Sequence, residues 1–128
     1  MKYQILTNQH ITIAHPRTKR ETKLYRILAL TDLKIGKITV KEGDIGGYIQ
    51  SEKNLPNALD DNSWVAHTAM VFDNAILTNG SVAMQKSAIY DDAILDNTMA
   101  KENARAYGQT KLVNSQISGN VDIYDQAQ

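Results

Sequence analysis

The residues that could support chemistry are few and scattered along the chain. There are three histidines, His10, His15 and His67, and no cysteine, which excludes disulfides and thiolate metal sites. No Asp or Glu lies at a spacing typical of metal ligands from His10 or His15, so we predict no metal site. His67 has no visible partner that would orient it as a general base. These residues favour a protein without a catalytic centre.

Two further motifs have only weak links to ligand binding. The pair Gly46-Gly47 lacks the Gly-Lys-Ser/Thr that completes a phosphate-binding loop, so we interpret it, like Gly43, as a turn with positive φ. A basic cluster occupies a polar segment without aromatic neighbours; its members are Arg17, Lys19, Arg20 and Lys23. A solvated loop is the favoured interpretation of this cluster. A basic arm that contacts phosphate or an acidic partner is the alternative.

Charge and hydropathy limit the classes of protein to which the chain can belong. Lys and Arg together number 14, as do Asp and Glu, so bulk charge gives no support for nucleic-acid binding. Residues 1–56 carry a net charge of +5 and residues 57–128 a net charge of −5, which predicts two parts that meet near Pro56. No apolar stretch is long enough to span a membrane and no signal-peptide core is visible. We therefore predict a cytoplasmic protein.

The second part contains a regular repeat of small and aliphatic residues. Each pair of such residues follows the previous pair by six positions, or by five at two places, and the two members of a pair lie two residues apart. They therefore point to the same side of an extended strand, and the repeat predicts a parallel β-helix over residues 57–128. The pairs are Ser63/Val65, Ala69/Val71, Ala75/Leu77, Ser81/Ala83, Ser87/Ile89, Ala93/Leu95, Thr98/Ala100, Ala104/Ala106, Thr110/Leu112, Ser115/Ile117 and Val121/Ile123.

Four segments resemble a family of phage, prophage and bacterial hexapeptide-repeat proteins that are often labelled transferases. The segments are LYRILALTDL (24–33), KEGDIGGYIQSEKNL (41–55), NARAYG (103–108) and NVDIYD (120–125). The second contains a GDxGGxIxSExNL-type motif, with Tyr48 where the family usually has Trp and Gln50 where it usually has Glu. The resemblance implies an all-β fold, namely a left-handed parallel β-helix of about 3.5 coils behind an N-terminal β cap formed by residues 1–56. It implies no established activity.

Acyl transfer is the enzymatic alternative that the resemblance raises. Hexapeptide-repeat acyltransferases use a histidine base, often near a loop that protrudes from the coils. Here every step of the repeat is five or six residues, which leaves no room for such a loop, and His67 is the only histidine in the repeat. We therefore predict neither a catalytic residue nor a cofactor, and an acyltransferase-like enzyme stays as the alternative.

Outward-facing aromatic residues recur once per coil. Phe72, Tyr90, Tyr107 and Tyr124 are separated by 18, 17 and 17 residues, so we expect their rings to stack along one outer face. Such a ladder stabilises neighbouring coils; it could also form a protein-binding strip, since exposed aromatic side chains are common interface anchors. We predict that this strip is the binding surface, with the acidic corner residues Asp91 and Asp125 at its edge.

The first coil has additional apolar residues at outward positions, namely Met70, Ile76, Val82 and Met84. Later coils carry polar residues at most of these positions. We therefore expect the N-terminal strands or a second subunit to cover the first coil, and we expect a homodimer.

The N-terminal part is predicted to consist of short strands. We place strands over 2–6 and 10–14 with a turn at 7–9, a strand over 22–30 rather than a helix, a turn at 35–37, a strand over 38–40, and a linker with one helical turn over 51–62.

These features together predict a non-enzymatic protein-binding scaffold. The resemblance implies an accessory protein of a phage or mobile element that binds a host or phage protein in the host cytoplasm, and a counter-defence (anti-CRISPR-like) inhibitor would fit its small size. A structural protein that self-assembles is a further alternative.

Overall fold

The computed structural model describes residues 1–124 and consists almost entirely of β-strands. The N-terminal part contains β1 (Tyr3–Ala14), β2 (Glu21–Ala29), β3 (Leu33–Ile35), β4 (Ile38–Val40), β5 (Ile45–Ile49) and a short 3-10 helix (Glu52–Asn54). No helix within residues 1–124 has the length and apolar character needed to cross a membrane.

Eleven short strands follow and stack as a parallel β-solenoid of about four turns. They are β6 (Trp64–Val65), β7 (Met70–Val71), β8 (Ile76–Thr78), β9 (Val82–Ala83), β10 (Ala88–Ile89), β11 (Ile94–Asp96), β12 (Met99–Ala100), β13 (Arg105–Tyr107), β14 (Lys111–Val113), β15 (Gln116–Ile117) and β16 (Asp122–Tyr124). The solenoid has three faces. Their strand orders are β1-β2-β5-β7-β10-β13-β16, β8-β11-β14 and β6-β9-β12-β15. The predicted all-β solenoid behind a β cap is confirmed.

The paired residues of the repeat line the inside of the solenoid. Every pair from Ser63/Val65 to Ala104/Ala106 is buried, whereas Leu112, Ile117 and Ile123 in the last coil are half-buried. Small residues alternate with aliphatic ones because a narrow triangular interior must be filled at close packing density. The buried positions agree with the predicted register from residue 63 to residue 110, whereas Ser115, which was predicted to point inward, is exposed in the last coil.

Residues with positive φ turn the chain at the corners between faces. Asp73, Asp91 and Asn97 have φ of 59°, 58° and 49°, a region that Asn and Asp tolerate better than most residues. Their side chains also join successive coils: the Asp73 carboxylate accepts a hydrogen bond from the Asp91 N–H (3.3 Å), and the Asp91 carboxylate accepts one from the Gly108 N–H (3.0 Å). These bonds fix the register from one coil to the next.

The N-terminal cap continues the solenoid rather than forming a separate unit. β5 pairs antiparallel with β2 on one side and parallel with β7 on the other. Tyr3, Ile27 and Ile49 belong to the same buried core as Val71 and Leu77. The sheet and the core therefore run across the change in composition near residue 56.

Most predicted N-terminal elements are present, with two corrections. The expected turn at 7–9 is wrong: β1 is one strand of 12 residues, and 7–9 form a bulge where the register with β2 shifts between Leu6 and His10. The turn interpretation of Gly46 and Gly47 is also wrong, because both lie within β5, where a Cβ would come within 2.6 Å of a backbone carbonyl oxygen. Close packing of β5 on the first coil, and not positive φ, accounts for these glycines. Gly43 does have positive φ, of 94°.

Candidate functional site

The outward aromatic residues form the stack that their spacing predicts. Phe72 and Tyr90 have ring centroids 5.0 Å apart, Tyr90 and Tyr107 are 5.0 Å apart, and Tyr107 and Tyr124 are 5.2 Å apart, with nearly parallel planes. We call these four residues the aromatic ladder. Stacking of this kind contributes about 0.5–1.5 kcal/mol per ring pair, so the ladder stabilises the coils.

The β1–β2 hairpin covers the first half of the aromatic ladder. Phe72 and Tyr90 are only 1% and 2% exposed, and they form a buried cluster with Leu24 and Ala88, against which Ile11 and Ile13 pack. The expectation that all four aromatics offer an exposed binding strip is therefore wrong for Phe72 and Tyr90. Their burial follows from the hairpin, whose alternating apolar residues need a surface to cover.

Only the second half of the aromatic ladder is accessible. Tyr107 is half-buried and Tyr124 is 50% exposed. Beside them, the Arg105 guanidinium donates two hydrogen bonds to the Asp122 carboxylate, at 3.0 and 2.9 Å. We call Arg105, Tyr107, Asp122 and Tyr124 the exposed strip. Asp125, which we also predicted for this surface, lies outside the described residues.

A buried histidine fastens the tip of the hairpin to the solenoid. His15 is 1% exposed, and its Nε2 lies 2.7 Å from Asp91 Oδ1 and 3.7 Å from Asp73 Oδ2. Its ring also makes edge contacts with Phe72 and Tyr90. Arg17 and Arg20 extend this attachment, pairing with Asp91 and Asp73 respectively. Asp91, predicted as part of a binding edge, instead holds the hairpin.

The hydrogen bonds of His15 settle its tautomer. Its Nδ1 accepts the backbone N–H groups of Arg17 (3.1 Å) and Thr18 (3.2 Å). Backbone N–H groups can only donate, so in the neutral ring the proton is on Nε2, which donates to Asp91. His15, Asp73 and Asp91 are close enough to hold a metal ion, but Nε2 could bind one only if its proton moved to Nδ1, which already faces two backbone N–H donors. This geometry fits an attachment point and not a metal centre.

The environment of Asp91 keeps its carboxyl group ionised. Burial alone would raise the pKa, but the hydrogen bonds from His15 and Gly108 and the charge of Arg17 outweigh burial, so the pKa of Asp91 is lowered. Burial raises the pKa of Tyr90 to about 12. The junction therefore holds an ionised carboxylate and a neutral phenol at neutral pH.

The basic cluster is largely used in these contacts. Arg17 and Arg20 form the ion pairs described above, and Lys19 Nζ donates to the Pro16 carbonyl oxygen at 2.9 Å. An open polar groove of about 720 Å³ runs beside them along the corner that contains Asp73 and Asp91. Three basic and three acidic side chains line this groove, so their formal charges cancel; they are Arg17, Arg20, Lys53, Asp73, Asp91 and Asp92.

The outward apolar residues of the first coil contact the cap to different extents. Val82 is buried in the main core, against which Met84 packs, and Met70 packs against the cluster beneath the hairpin. Ile76 is half-buried on the second face. Met84 lines a small cleft together with residues of β4 and β5, and Met70 lies beneath the hairpin, so the N-terminal strands cover these two residues.

His67 is placed at a rim of a small cleft that includes Ile45, Trp64 and Met84. Its Nδ1 accepts the Gln85 backbone N–H at 3.0 Å, so the neutral ring carries its proton on Nε2. Among residues 1–124, no carboxylate bonds to His67 to orient it. A general base needs a lone pair directed at the substrate; in the neutral His67 ring the Nδ1 lone pair is bonded to Gln85 and Nε2 carries the proton, so no lone pair is available.

The contact between His15 and Asp91 could not be predicted from local sequence patterns, because the two residues are 76 positions apart. One available signal is the alternation of Ile11 and Ile13, which together with Leu24 marks an apolar face on the hairpin.

No protein-family model matches the chain, and no curated protein is significantly similar to it.

Proposed function

We propose that this protein is a non-enzymatic scaffold that binds another protein through the exposed strip. The observation that carries the proposal is the half-exposed end of a rigid aromatic ladder, where Tyr107 and Tyr124 continue a stack whose first half is buried. Tyrosine is favoured at interfaces because it brings a large contact area with little loss of conformational entropy.

The stacking and the Arg105–Asp122 pair support this choice of surface. Tyr107 is stacked between two rings, and the bidentate pair joins β13 to β16 beside it. The exposed strip is therefore ordered before a partner arrives, which lowers the entropic cost of binding. Polar groups beside aromatic anchors also match the usual composition of a protein interface.

The partner that we propose is a host or phage protein, with the chain acting as an accessory protein of a phage or mobile element in the host cytoplasm. This part of the proposal rests on the sequence resemblance. Counter-defence inhibition is the role that a small, rigid protein without catalytic groups would suit.

A capture experiment with a matched control tests the proposal. Tagged wild type, a Tyr107→Lys/Tyr124→Lys variant and a Val113→Lys variant are incubated with host lysate after circular dichroism has shown each to be folded. Val113 is 47% exposed on a different face. We expect one protein to be captured by wild type and Val113→Lys and lost by the double variant. Equal capture by all three, or no specific capture, would contradict the assignment.

The acyltransferase alternative is tested separately by calorimetry with acetyl-coenzyme A. We expect no heat of binding. Saturable binding that His67→Ala abolishes would replace the scaffold proposal with an enzymatic one.

A further inference from the structure

The outer edge of β1 differs from the other strand edges described in residues 1–124. β1 is the terminal strand of the seven-stranded sheet and has 12 residues. It contains no Asp, Glu, Lys, Arg or proline, and these residues are among the devices that protect an edge from pairing with another chain. By contrast, β16 at the opposite edge has three residues and includes Asp122.

The pattern of hydrogen bonds between β1 and β2 shows which backbone groups of β1 face away from β2. The His15 N–H donates to the Arg20 carbonyl (2.8 Å), so His15 and Arg20 bond across the hairpin. Bonded and non-bonded pairs alternate along an antiparallel ladder, and Thr12 is opposite Lys23. Because His15 is in a bonded pair, the alternation places Ile13 and Ile11 in bonded pairs with β2. The alternate residues, Ala14, Thr12 and His10, direct their N–H and C=O groups away from β2. The bulge at 7–9 ends this regular edge.

The edge segment is symmetric about Thr12. In the sequence His10-Ile11-Thr12-Ile13-Ala14, identical isoleucines flank the central residue. We propose that His10–Ala14 pairs antiparallel with the same segment of a second copy, about a two-fold axis at Thr12. Three pairs then form hydrogen bonds, Thr12 with Thr12 and His10 with Ala14 twice, and each closes two N–H···O=C bonds.

The side chains favour this self-pairing. Ile11 and Ile13 pack on the cluster under the hairpin but are only half-buried. In the dimer, Ile11 of one copy lies opposite Ile13 of the other, so each covers the remaining surface of its neighbour. Pairs of β-branched residues and Thr–Thr pairs are both favourable across antiparallel strands. A strand from an unrelated protein would have to supply the same pattern by chance.

The charges near the hairpin tip also permit the pairing. The register places His15 opposite the partner's Gln9, so the basic turn at 17–20 lies beside the uncharged bulge at 7–9 of the other copy. Ten residues of extended chain separate the two Arg17 positions, which is roughly 30 Å. This distance exceeds the Debye length of about 8 Å at physiological ionic strength, so the two basic turns repel each other little.

Proline at Thr12 is the first test. The Thr12 N–H faces away from β2, so proline costs no hydrogen bond within the monomer, while it removes the central donor of the dimer. Sedimentation equilibrium of purified wild type should show a monomer–dimer equilibrium, and Thr12→Pro should weaken dimerisation at least tenfold. Thr12→Val, which keeps the backbone donor, should dimerise like wild type. A monomeric wild type at millimolar concentration, or an unweakened Thr12→Pro dimer, would overturn the proposal.

Two variants of opposite charge at Thr12 test the proposal independently if Thr12→Pro does not fold. Thr12→Lys and Thr12→Asp should each be monomeric alone, because like charges lie directly opposite across the axis. Their mixture should form heterodimers. Failure of the mixture to associate, or homodimers of either variant as tight as those of wild type, would exclude the two-fold axis at Thr12. Neither measurement involves the exposed strip, so its result is independent of the proposed function.

Discussion

His15 illustrates how one buried side chain can determine whether an element stays attached. Replacing it by Leu would keep the contacts with Phe72 and Tyr90 but leave Asp91 Oδ1 and two backbone N–H groups without their partner. Unsatisfied buried polar groups cost about 1–3 kcal/mol each, less where water can enter. We expect His15→Leu to lower the free energy of unfolding by about 2–4 kcal/mol in urea titrations. His10→Leu, at an exposed position of the same strand, is the control and should change it by less than about 0.5 kcal/mol.

Lys2 should give the protein an unusual alkaline stability profile. Its ammonium group is fully buried and donates to the carbonyl oxygens of Asp61 (2.8 Å) and Ser63 (2.7 Å). Burial lowers the pKa of Lys2 to about 8, although Asp61 opposes the shift. Between pH 8 and about 10 the unfolded chain therefore binds more protons than the folded one, and stability rises with pH.

Two buried tyrosines reverse this trend at higher pH. Burial raises the pKa of Tyr3 and also that of Tyr90, the latter to about 12. Above pH 10 the unfolded chain loses phenolic protons that the folded chain retains, so stability falls. We expect the free energy of unfolding to increase by on the order of 2 kcal/mol from pH 8 to its maximum near pH 10. Lys2→Met should remove the rise and leave the fall, and a rise of equal size in that variant would refute the assignment.

At the scale of elements, β5 joins the cap to the solenoid, and its glycines make that junction possible. A Cβ on Gly47 would lie 2.6 Å from the Ala69 carbonyl oxygen and 2.8 Å from a Val65 methyl carbon. The backbone cannot move to relieve these short contacts without disturbing the pairing of β5 with β7. We expect Gly47→Ala to lower the melting temperature by more than 10 °C, equivalent to about 2–3 kcal/mol for a domain of this size.

Gly36→Ala provides the comparison for Gly47. Gly36 lies in the turn between β3 and β4 with φ of 60° and open space around its Cβ position. Alanine there should cost only the strain of a left-handed conformation, about 1 kcal/mol. Equal effects of the two substitutions, measured by differential scanning calorimetry, would show that close packing is not the reason for Gly47.

The elements also show how far the sequence can predict this fold. The coils repeat a local rule, so the inward positions from Val65 to Ile123 and the stacking of Phe72, Tyr90, Tyr107 and Tyr124 could be predicted from spacing alone. The hairpin follows no repeat, and its contact with Asp91 depends on how β2 leaves β5 and turns over the outer face. Long-range packing of this kind has no period in the sequence. For this reason the spacing predicts the alignment of Phe72 and Tyr90 with the other rings but does not predict their burial.

At the scale of the whole molecule, stability should depend on contacts between neighbouring coils, as in other solenoids. Asp91 and Gly108 occupy the same corner one coil apart, since the Asp91 carboxylate accepts the Gly108 N–H. Deleting residues 92–108 would therefore join Asp91 to Gln109 without changing which side chains face inward. Val71, Ile89 and Ile123 would still follow one another on the inside of the first face.

We expect this shortened protein to fold, with a smaller urea m-value because less surface is buried. Deleting residues 92–107 instead shifts the register by one residue, which points Leu112 and Ile117 outward and inverts every later pair. That variant should lose the ordered structure of the coils after the junction, detectable as loss of amide protection in hydrogen exchange. If both deletions retained equal protection there, corner and inward positions would not specify the register, and the coil-by-coil account of stability would have to be abandoned.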